Sequence, residues 1–291
     1  MNRLERMAPP LVADWDRIAA QIQLSRRVAV FLDFDGTLVN IARLPNQVHL
    51  APSTRRVLRR LARHPRVTLV VISGRRRAEL LRYIGLRGIR YFGLYGWERG
   101  RRPPIPVSAL IALRNARMQL SIHLASIPGI WIEDKHLTFS VHLLRVSPAL
   151  QRRARRKLRS LLLPFQKTLR VIENLRDAEV LPCCIPDKGI AVQQFLANPA
   201  LCHALPFYFG DDLSDEPAFE ALCKGISIRV GAARPTRARY SIRGPAAVAA
   251  VLTKLEVAVL RLDSQRPKKA RYSHQVKMVH SVSAAFETSI V

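Results

Sequence analysis

The sequence predicts an α/β fold in which a parallel sheet is interrupted by an α+β insert. Apolar runs at 27–32, 67–72 and 205–209 have the near-continuous hydrophobicity of strands that are buried on both faces. Helical segments separate these runs, as they do in βαβ units. In the segments 130–133 and 137–144 the apolar residues instead alternate with polar ones, and helices accompany them, which indicates an α+β insert rather than a continuation of the parallel sheet.

The first third of the chain predicts a helical leader followed by alternating strands and helices. Apolar residues recur at helical spacing over residues 1–25. After the first strand, Pro52 and Ser53 are residue types that favour the first turn of a helix. In chain order, the predicted elements are a strand at 27–32, a helix at 52–64, a strand at 67–72 and a helix from about Arg77.

The middle of the chain predicts the insert, which follows the proline-rich stretch at 100–107. Its predicted elements are a helix at 108–126, strands at 130–133 and 137–144, a helix at 149–163, and strands at 168–172 and 177–181. The earlier rhythm then resumes with a helix at 188–196, a strand at 205–209, a helix at 214–223, a strand at 226–230 and a helix at 245–260. We therefore place a helical leader at 1–25, a core at 26–101 and 186–262, the insert at 102–185 and a disordered tail at 263–291.

The chain of 291 residues is strongly basic, with 48 Lys and Arg against 21 Asp and Glu and a formal net charge of +27. Such a charge is compatible with a nucleic-acid partner, a phosphorylated substrate, or an arginine-rich composition spread over solvated faces. The arginines are scattered, and the basic cluster at 152–159 contains no aromatic residue that could stack on a nucleobase. Nucleic acid is therefore not the expected partner.

The cysteines and the hydropathy pattern indicate a cytoplasmic protein without a membrane partner. The four cysteines, at 183, 184, 202 and 223, contain no CxxC pair, so they predict neither a disulfide framework nor a zinc site. They are typical of reduced thiols in a cytosolic protein. The chain has no run of 18 apolar residues, and its first 25 residues are too charged for a secretory signal.

Two carboxylates follow the first predicted strand, in the run DFDGT at 33–37. Asp33 and Asp35 are two residues apart, so in an extended segment both point to the same side. The carboxyl end of a strand is also where an open parallel sheet binds its ligands. A divalent cation or a shared proton would offset the repulsion between the two groups, and a carboxylate can attack phosphorus. The pattern alone is equally compatible with a solvated acidic turn.

Three further features lie at strand ends or at the start of a helix. Ser73 follows the strand 67–72, where a hydroxyl and a backbone N–H can hold a phosphoryl oxygen. Lys188 begins a helix, where an ammonium group can bind an anion. The run GDDLSDE at 210–216 supplies oxygen ligands that suit Mg²⁺. Taken alone, Ser73 could belong to a simple turn, Lys188 could be a solvated side chain, and the acidic run could be a helix cap. Because these features and DFDGT occur in this order at the ends of predicted strands or at a helix start, together they indicate one phosphate-binding site.

With these four features, the sequence resembles the haloacid dehalogenase-type phosphatases. Further motifs resemble the trehalose-6-phosphate phosphatases within that superfamily: FLDFDGTLVNI at 31–41, ISGR at 72–75, GLYGWE at 93–98 and GDDLSDEPAF at 210–219. The resemblance implies a Rossmann-like core with a mobile α+β cap of the C2 type, which corresponds to the insert. It also implies an enzyme of trehalose biosynthesis that hydrolyses trehalose 6-phosphate with Mg²⁺ as its cofactor.

The same resemblance implies a role for each motif residue. Asp33 would be the nucleophile that forms an aspartyl-phosphate, and Asp35 would be the general acid and then the general base. The residues implied to bind the phosphate are Ser73, Gly74 and Lys188. The residues implied to hold Mg²⁺ are Asp33, Asp35 through its backbone carbonyl, Asp211 and Asp212.

Selectivity for the sugar is expected to come from the insert, because the core would contact only the phosphate. Charged side chains that form hydrogen bonds with sugar hydroxyls are expected to bind the sugar. The candidates are Glu133, Lys135 and Glu179 in the insert, with Glu98 at the edge of the core. The resemblance also implies that a trehalose-6-phosphate synthase supplies the substrate, and we expect the protein to be a monomer.

Three other functions remain open at this stage. The first is a phosphatase of the same superfamily that acts on another sugar phosphate, such as sucrose phosphate or mannosyl phosphoglycerate. The others are a basic nucleic-acid-binding protein and a regulatory subunit, both on the same fold. Because Asp33 and Asp35 are both present, the sequence favours an enzyme over the last two.

Overall fold

The computed structural model describes residues 7–42, 47–100, 104–143, 146–174 and 177–265, with side chains described as far as 261. Its eight helices are α1 (Trp15–Leu24), α2 (Pro52–Arg63), α3 (Arg77–Tyr83), α4 (Val107–Leu124), α5 (Pro148–Leu162), α6 (Lys188–Leu196), α7 (Glu216–Ala221) and α8 (Pro245–Gln265). Its ten strands are β1 (Arg27–Leu32), β2 (Val67–Ile72), β3 (Ile89–Phe92), β4 (Trp131–Asp134), β5 (Phe139–His142), β6 (Leu169–Glu173), β7 (Asp177–Pro182), β8 (Ala204–Gly210), β9 (Ile226–Val230) and β10 (Tyr240–Ile242).

The strands form two sheets, which confirms the predicted fold class. A six-stranded sheet has the order β10-β9-β8-β1-β2-β3, and all its neighbouring strands are parallel. A four-stranded antiparallel sheet has the order β4-β5-β7-β6 and lies within the predicted insert. The limits of the leader, core, insert and tail stay a prediction, and residues 266–291 of that tail lie outside the described residues.

The central strand β1 shows why the parallel sheet forms. Val28, Val30 and Leu32 belong to the apolar core that the sheet shares with α1, α2 and α8. Ala29 and Phe31 point to the other side, into the core shared with α6 and α7. Because each large apolar side chain contributes about 1.5–3 kcal/mol when fully buried, a strand that is apolar on both faces is stable only between two helical layers.

The sheet of the insert is apolar on one face only. Phe139, Val141 and Val180 pack there against Leu120 of α4 and Leu158 of α5. Residues directly opposite each other on neighbouring antiparallel strands share a face. On the opposite face, two rows of directly paired residues run across β4, β5 and β7. One row consists of Glu133, Ser140 and Glu179, and the other of Trp131, His142 and Asp177. This face therefore carries polar and aromatic side chains.

The structure adds two strands and lengthens one helix relative to the prediction. The short edge strands β3 and β10 were not predicted from the sequence. Helix α8 continues to Gln265, beyond the predicted end at 260. The predicted leader contains the short 3₁₀ turn Leu11–Asp14 and then α1, whose Ile18 and Ile22 are buried in the core. None of the described helices has the length and apolar character needed to cross a bilayer.

Candidate active site

The polar motif residues meet where three neighbouring strands end. Asp33 follows β1, Ser73 follows β2 and Asp211 follows β8, and these strands are adjacent in the order β8-β1-β2. Because the carboxyl ends of parallel strands lie at one edge of the sheet, residues far apart in the chain converge there. A cavity at this edge is bounded on its far side by the insert. All the predicted site residues except Glu98 line it.

A buried lysine bridges two carboxylates at the base of the cavity. The Nζ atom of Lys188 lies 2.7 Å from Oδ1 of Asp33 and 2.7 Å from Oδ1 of Asp215. Burial alone would lower the pKa of Lys188, but the charges of Asp215 and Asp33 outweigh it and raise that pKa. Lys188 is therefore a fixed cation that orients Asp33.

Asp215 holds the acidic loop in place, a role that the sequence did not reveal. Its side chain is fully buried, and Oδ1 also accepts a hydrogen bond from the Tyr208 hydroxyl at 2.7 Å. Its Oδ2 accepts the backbone N–H groups of Asp211 and Asp212, both at 3.0 Å. A Cβ at Gly210 would lie 2.3 Å from Cγ of Asp215, so this close packing requires glycine.

The acidic cluster fits a hard divalent cation. Carboxylate oxygens of Asp33, Asp211 and Asp215 lie within 4.8 Å of one another. Burial raises the pKa of Asp33 to about 7 and that of Asp211 to about 9; Asp215 adds to both shifts and Lys188 opposes them. When ionised, the three carboxylates would carry more negative charge than the single cation Lys188 offsets. A bound cation would therefore favour their ionised form, and oxygen ligands are those that Mg²⁺ prefers.

The hydrogen bonds of Asp215 leave Asp33 and Asp211 as the carboxylates best placed to bind a cation. Gly36 permits the approach of Asp211, since a Cβ at Gly36 would lie 2.1 Å from Oδ2 of Asp211. Asp212 lines the cavity, but within the described chain it is not part of this cluster. Instead, its Oδ1 accepts the N–H of Leu213 at 2.8 Å and caps the short helical turn that follows.

Asp35 is held by Arg75, which was not predicted from the sequence as a site residue. Nε of Arg75 lies 2.6 Å from Oδ2 of Asp35, and Nη2 lies 2.8 Å from Oδ1. The Arg75 guanidinium also lies over the rings of Phe34 and Tyr83, at 5.5 and 5.3 Å from their centroids. Arg75 ends the ISGR run, and that motif was the available signal.

The turn after β2 combines a buried hydroxyl with a glycine. Oγ of Ser73 accepts the backbone N–H of Arg75 at 3.2 Å, and Ser73 is buried at the edge of the cavity. A Cβ at Gly74 would lie 2.9 Å from the hydroxyl oxygen of Tyr95, so only glycine fits beneath that ring. The turn therefore presents polar backbone to the cavity next to Asp33 and Lys188.

Glu179 is the centre of the polar face of the insert. Its Oε2 accepts hydrogen bonds from Lys135 at 2.9 Å, Tyr95 at 3.0 Å and Ser140 at 3.2 Å, and its Oε1 accepts one from Thr138 at 2.7 Å. Burial alone would lower the pKa of Lys135, but the neighbouring carboxylates, Glu179 foremost, outweigh it and raise that pKa. Since Tyr95 belongs to the core, its hydroxyl links the insert to the core at the cavity.

A second polar group on the same face consists of Glu133, His142 and Trp131. Nε2 of His142 lies 2.8 Å from Oε2 of Glu133. The imidazole stacks on the indole of Trp131 with 3.9 Å between centroids and 8° between planes. His142 and Trp131 line the cavity, although neither was predicted from the sequence as a site residue. The available signal was their position on the predicted strands 130–133 and 137–144, close to Glu133.

The structure does not bring Glu98 to the cavity. Its carboxylate accepts a hydrogen bond from Nε of Arg76 at 2.7 Å and another from the backbone N–H of Arg77 at 2.6 Å. Glu98 is 4% exposed. It thus fixes the start of α3, just after the turn that carries Ser73.

Comparisons with known proteins indicate the family of the chain. A family model described as trehalose-phosphatase matches residues 31–246. The trehalose-phosphate phosphatase of Mycobacterium tuberculosis is 31% identical over 246 residues, which cover 80% of this chain and 62% of that protein. A probable trehalose-phosphate phosphatase of Oryza sativa is 26% identical, with 86% of this chain and 71% of that protein covered. The chain therefore spans less than two thirds of the mycobacterial relatives it matches.

Solved structures show the same fold. The C-terminal domain of the trehalose-6-phosphate phosphatase of Candida albicans superposes with a TM-score of 0.74 at 21% identity, covering 86% of this chain and 98% of that one. A haloacid dehalogenase-like hydrolase from Bacteroides thetaiotaomicron superposes with a TM-score of 0.55 at 14% identity, covering 79% of this chain and 99% of that one. At these identities the likeness concerns the fold alone.

Proposed function

The chain belongs to the trehalose-phosphatase family, and we propose that it hydrolyses trehalose 6-phosphate to trehalose and inorganic phosphate. The observation that carries this proposal is the composition of the cavity. The parallel sheet supplies a buried carboxylate paired with a lysine, next to an acidic cluster, and the insert supplies hydrogen-bonding groups for a sugar. A phosphate and a polyol can therefore be bound side by side.

The first chemical step is assigned to Asp33 and Asp35. A carboxylate oxygen of Asp33 attacks phosphorus, a bond from that oxygen to phosphorus forms, and the bond from phosphorus to the sugar oxygen breaks. Asp35 donates the proton that the leaving sugar oxygen requires. The orientation of Asp33 by Lys188, at 2.7 Å, supports this assignment, because a nucleophile must be held in line with the bond that breaks.

The second step releases the phosphate. Asp35, now ionised, takes a proton from a water molecule, whose oxygen attacks phosphorus while the bond between phosphorus and Asp33 breaks. Asp35 thereby recovers the proton it gave up. Arg75 holds Asp35 at the cavity in this structure, and Asp35 must carry a proton when the first step begins.

We assign the phosphate oxygens to Lys188, to the Ser73 hydroxyl and to the backbone of Gly74. All three line the cavity beside Asp33. Mg²⁺ would be held by Asp33, Asp211 and the backbone carbonyl of Asp35, with Asp212 beside it. When bound, the cation would offset the negative charge of the carboxylates and the phosphate, which lowers the barrier to attack by an anion.

The trehalose part of the substrate is assigned to the insert. Glu133, Lys135 and Glu179 line the cavity. Glu133 and Lys135 can bond sugar hydroxyls there, and the buried Glu179, which already accepts four hydrogen bonds, would act by holding Lys135 in place. Glu98 would contribute only indirectly, through the start of α3. We further propose that the protein acts as a cytoplasmic monomer in trehalose biosynthesis, on substrate from a trehalose-6-phosphate synthase. Membership in the trehalose-phosphatase family supports the link to trehalose biosynthesis.

Phosphate release from a panel of substrates tests the proposal. Trehalose 6-phosphate, sucrose 6-phosphate and glucose 6-phosphate are supplied with Mg²⁺ or with EDTA, and Asp33→Asn is the matched control. We expect Mg²⁺-dependent release that is fastest from trehalose 6-phosphate and absent in Asp33→Asn. Equal rates on all three substrates would contradict the proposed substrate, and activity in Asp33→Asn would contradict the proposed nucleophile.

A further inference from the structure

An aromatic side chain in the cavity has no role in the chemistry assigned above. Trp131, in β4, is 41% exposed, although it lies on a strand of the insert's sheet and lines the cavity. Exposed tryptophan loses the stabilisation that burial of its large apolar surface would bring. An indole held open in a polar cavity therefore indicates a surface for binding an apolar face of a ligand.

One face of this indole is already covered. His142 stands opposite Trp131 in the strand register, and its ring stacks on the indole with 3.9 Å between centroids. The imidazole is held in turn by Glu133, at 2.8 Å from Nε2. His142 therefore holds the indole of Trp131 on one face, and the exposed area of Trp131 is assigned to the other face and to the ring edge.

The surroundings of the open face suit a sugar ring. A pyranose presents C–H groups on its ring face and hydroxyl groups around its edge. Stacking on an aromatic ring buries the C–H groups, and neighbouring charged or polar side chains can bond the hydroxyls. Lys135 and Glu133 share the cavity wall with Trp131, so both kinds of contact are available at one place.

The position of Trp131 in the fold selects which sugar ring it would contact. The phosphate, and with it the glucose unit that carries it, is bound by residues of the parallel sheet in the proposed function. Trp131 belongs instead to the insert's sheet, on the other side of the cavity. The second glucose unit of a disaccharide phosphate is the part of the substrate that extends away from the phosphate.

We propose that the open indole face of Trp131 is a stacking platform for the unphosphorylated glucose unit of trehalose 6-phosphate. The platform rests on the proposed function and deepens it, because it explains how a disaccharide phosphate is preferred over a monosaccharide phosphate. Glucose 6-phosphate has no second ring and gains nothing from the platform.

The test compares two substrates in four proteins: the wild type, Trp131→Ala, Trp131→Phe and Ile122→Ala. Ile122 is an exposed apolar residue of α4 outside the cavity lining, so its variant controls for loss of apolar surface on the insert. We expect Trp131→Ala to lower kcat/KM for trehalose 6-phosphate about tenfold, mainly through KM, and to change kcat/KM for glucose 6-phosphate less than twofold. Trp131→Phe should keep most of the activity, and Ile122→Ala all of it.

A binding measurement gives a second, independent readout. Trehalose alone should quench or shift the tryptophan fluorescence of the wild type, and that change should be lost in Trp131→Phe although Trp15 and Trp97 remain. If the wild type hydrolyses trehalose 6-phosphate and Trp131→Ala does so with unchanged kcat/KM, the platform is overturned and the proposed function stands. Equal losses on both substrates would also overturn it, since they indicate a general effect on the insert. A wild type inactive on trehalose 6-phosphate would overturn both proposals.

Discussion

Arg75 and Asp35 form a bidentate ion pair, with 2.6 Å between Nε and Oδ2 and 2.8 Å between Nη2 and Oδ1. The two partners are unequally buried, because the side chain of Arg75 is 10% exposed and that of Asp35 is 37% exposed. Arg75 is also fixed by the rings of Phe34 and Tyr83. The arginine therefore positions the carboxylate, and Asp35 is the partner free to move when a substrate enters.

The first prediction follows from this pair. Arg75→Met should lower kcat about 10- to 100-fold, because an unrestrained Asp35 no longer delivers its proton in the right geometry. Arg75→Lys should lie between Met and the wild type, since lysine keeps the charge but not the planar fork. Steady-state kinetics and pH–rate profiles of the variants check this. Wild-type kcat in Arg75→Met would mean that the pair has no part in catalysis.

The second prediction concerns the buried Lys188. In Lys188→Met, Asp33 and Asp215 lose the cation between them, and removal of one member of a buried charge group typically costs about 3–5 kcal/mol. We expect a large fall in the free energy of unfolding in urea together with loss of turnover. Gln193→Met, in the same helix, is the control for the substitution itself. An unchanged urea midpoint in Lys188→Met would show that Asp33 and Asp215 simply take up protons there at little cost.

The third prediction concerns pH and Mg²⁺. The raised pKa values of Asp33, about 7, and Asp211, about 9, mean that the folded metal-free protein keeps protons that the unfolded chain has released above about pH 4. These groups therefore cost stability progressively as the pH rises from about 4 through 7 to 9. A cation needs the ionised oxygens, so Mg²⁺ should raise Tm clearly at pH 8 and little at pH 5.5.

Thermal scans with Mg²⁺ or EDTA at the two pH values measure this effect. Asp211→Asn is the matched variant, because it removes one cation ligand together with a carboxyl group whose ionisation is opposed by burial and by the neighbouring carboxylates. It should lower the Mg²⁺-dependent rise in Tm at pH 8, and it should raise Tm in EDTA. A rise in Tm of the same size at both pH values would place the cation away from these carboxylates.

The strands that carry the site were predictable from the sequence, and the short edge strands were not. The apolar runs at 27–32 and 67–72 coincide with β1 and β2, because both faces of these strands are buried and every position must be apolar. Strand β3 has four residues, including the exposed Arg90, and β10 has three. Such short strands form because their backbone groups hydrogen-bond to the neighbouring strand of the sheet. This is a tertiary contact, so the local sequence does not predict it.

The candidate site was predictable as far as its motifs reach. Residues at the ends of parallel strands converge by topology, so their meeting could be expected without knowledge of the side-chain contacts. The role of Arg75 depends on Asp35, which lies forty positions away in the sequence. Sequence spacing does not predict a contact between residues so far apart. Glu98 shows the converse, since its residue type suggested a sugar ligand whereas the fold uses its carboxylate to hold Arg76 and Arg77.

The last prediction separates these two uses of a glutamate. Glu98→Gln should lower kcat/KM for trehalose 6-phosphate and glucose 6-phosphate by the same factor and should also lower Tm, because it weakens the start of α3 beside the phosphate-binding turn. Glu133→Gln, in the cavity wall, should instead affect trehalose 6-phosphate far more than glucose 6-phosphate. Kinetics on both substrates together with thermal scans distinguish the two patterns. If Glu98→Gln impaired trehalose 6-phosphate selectively at an unchanged Tm, Glu98 would have to reach the sugar in a conformation other than this one.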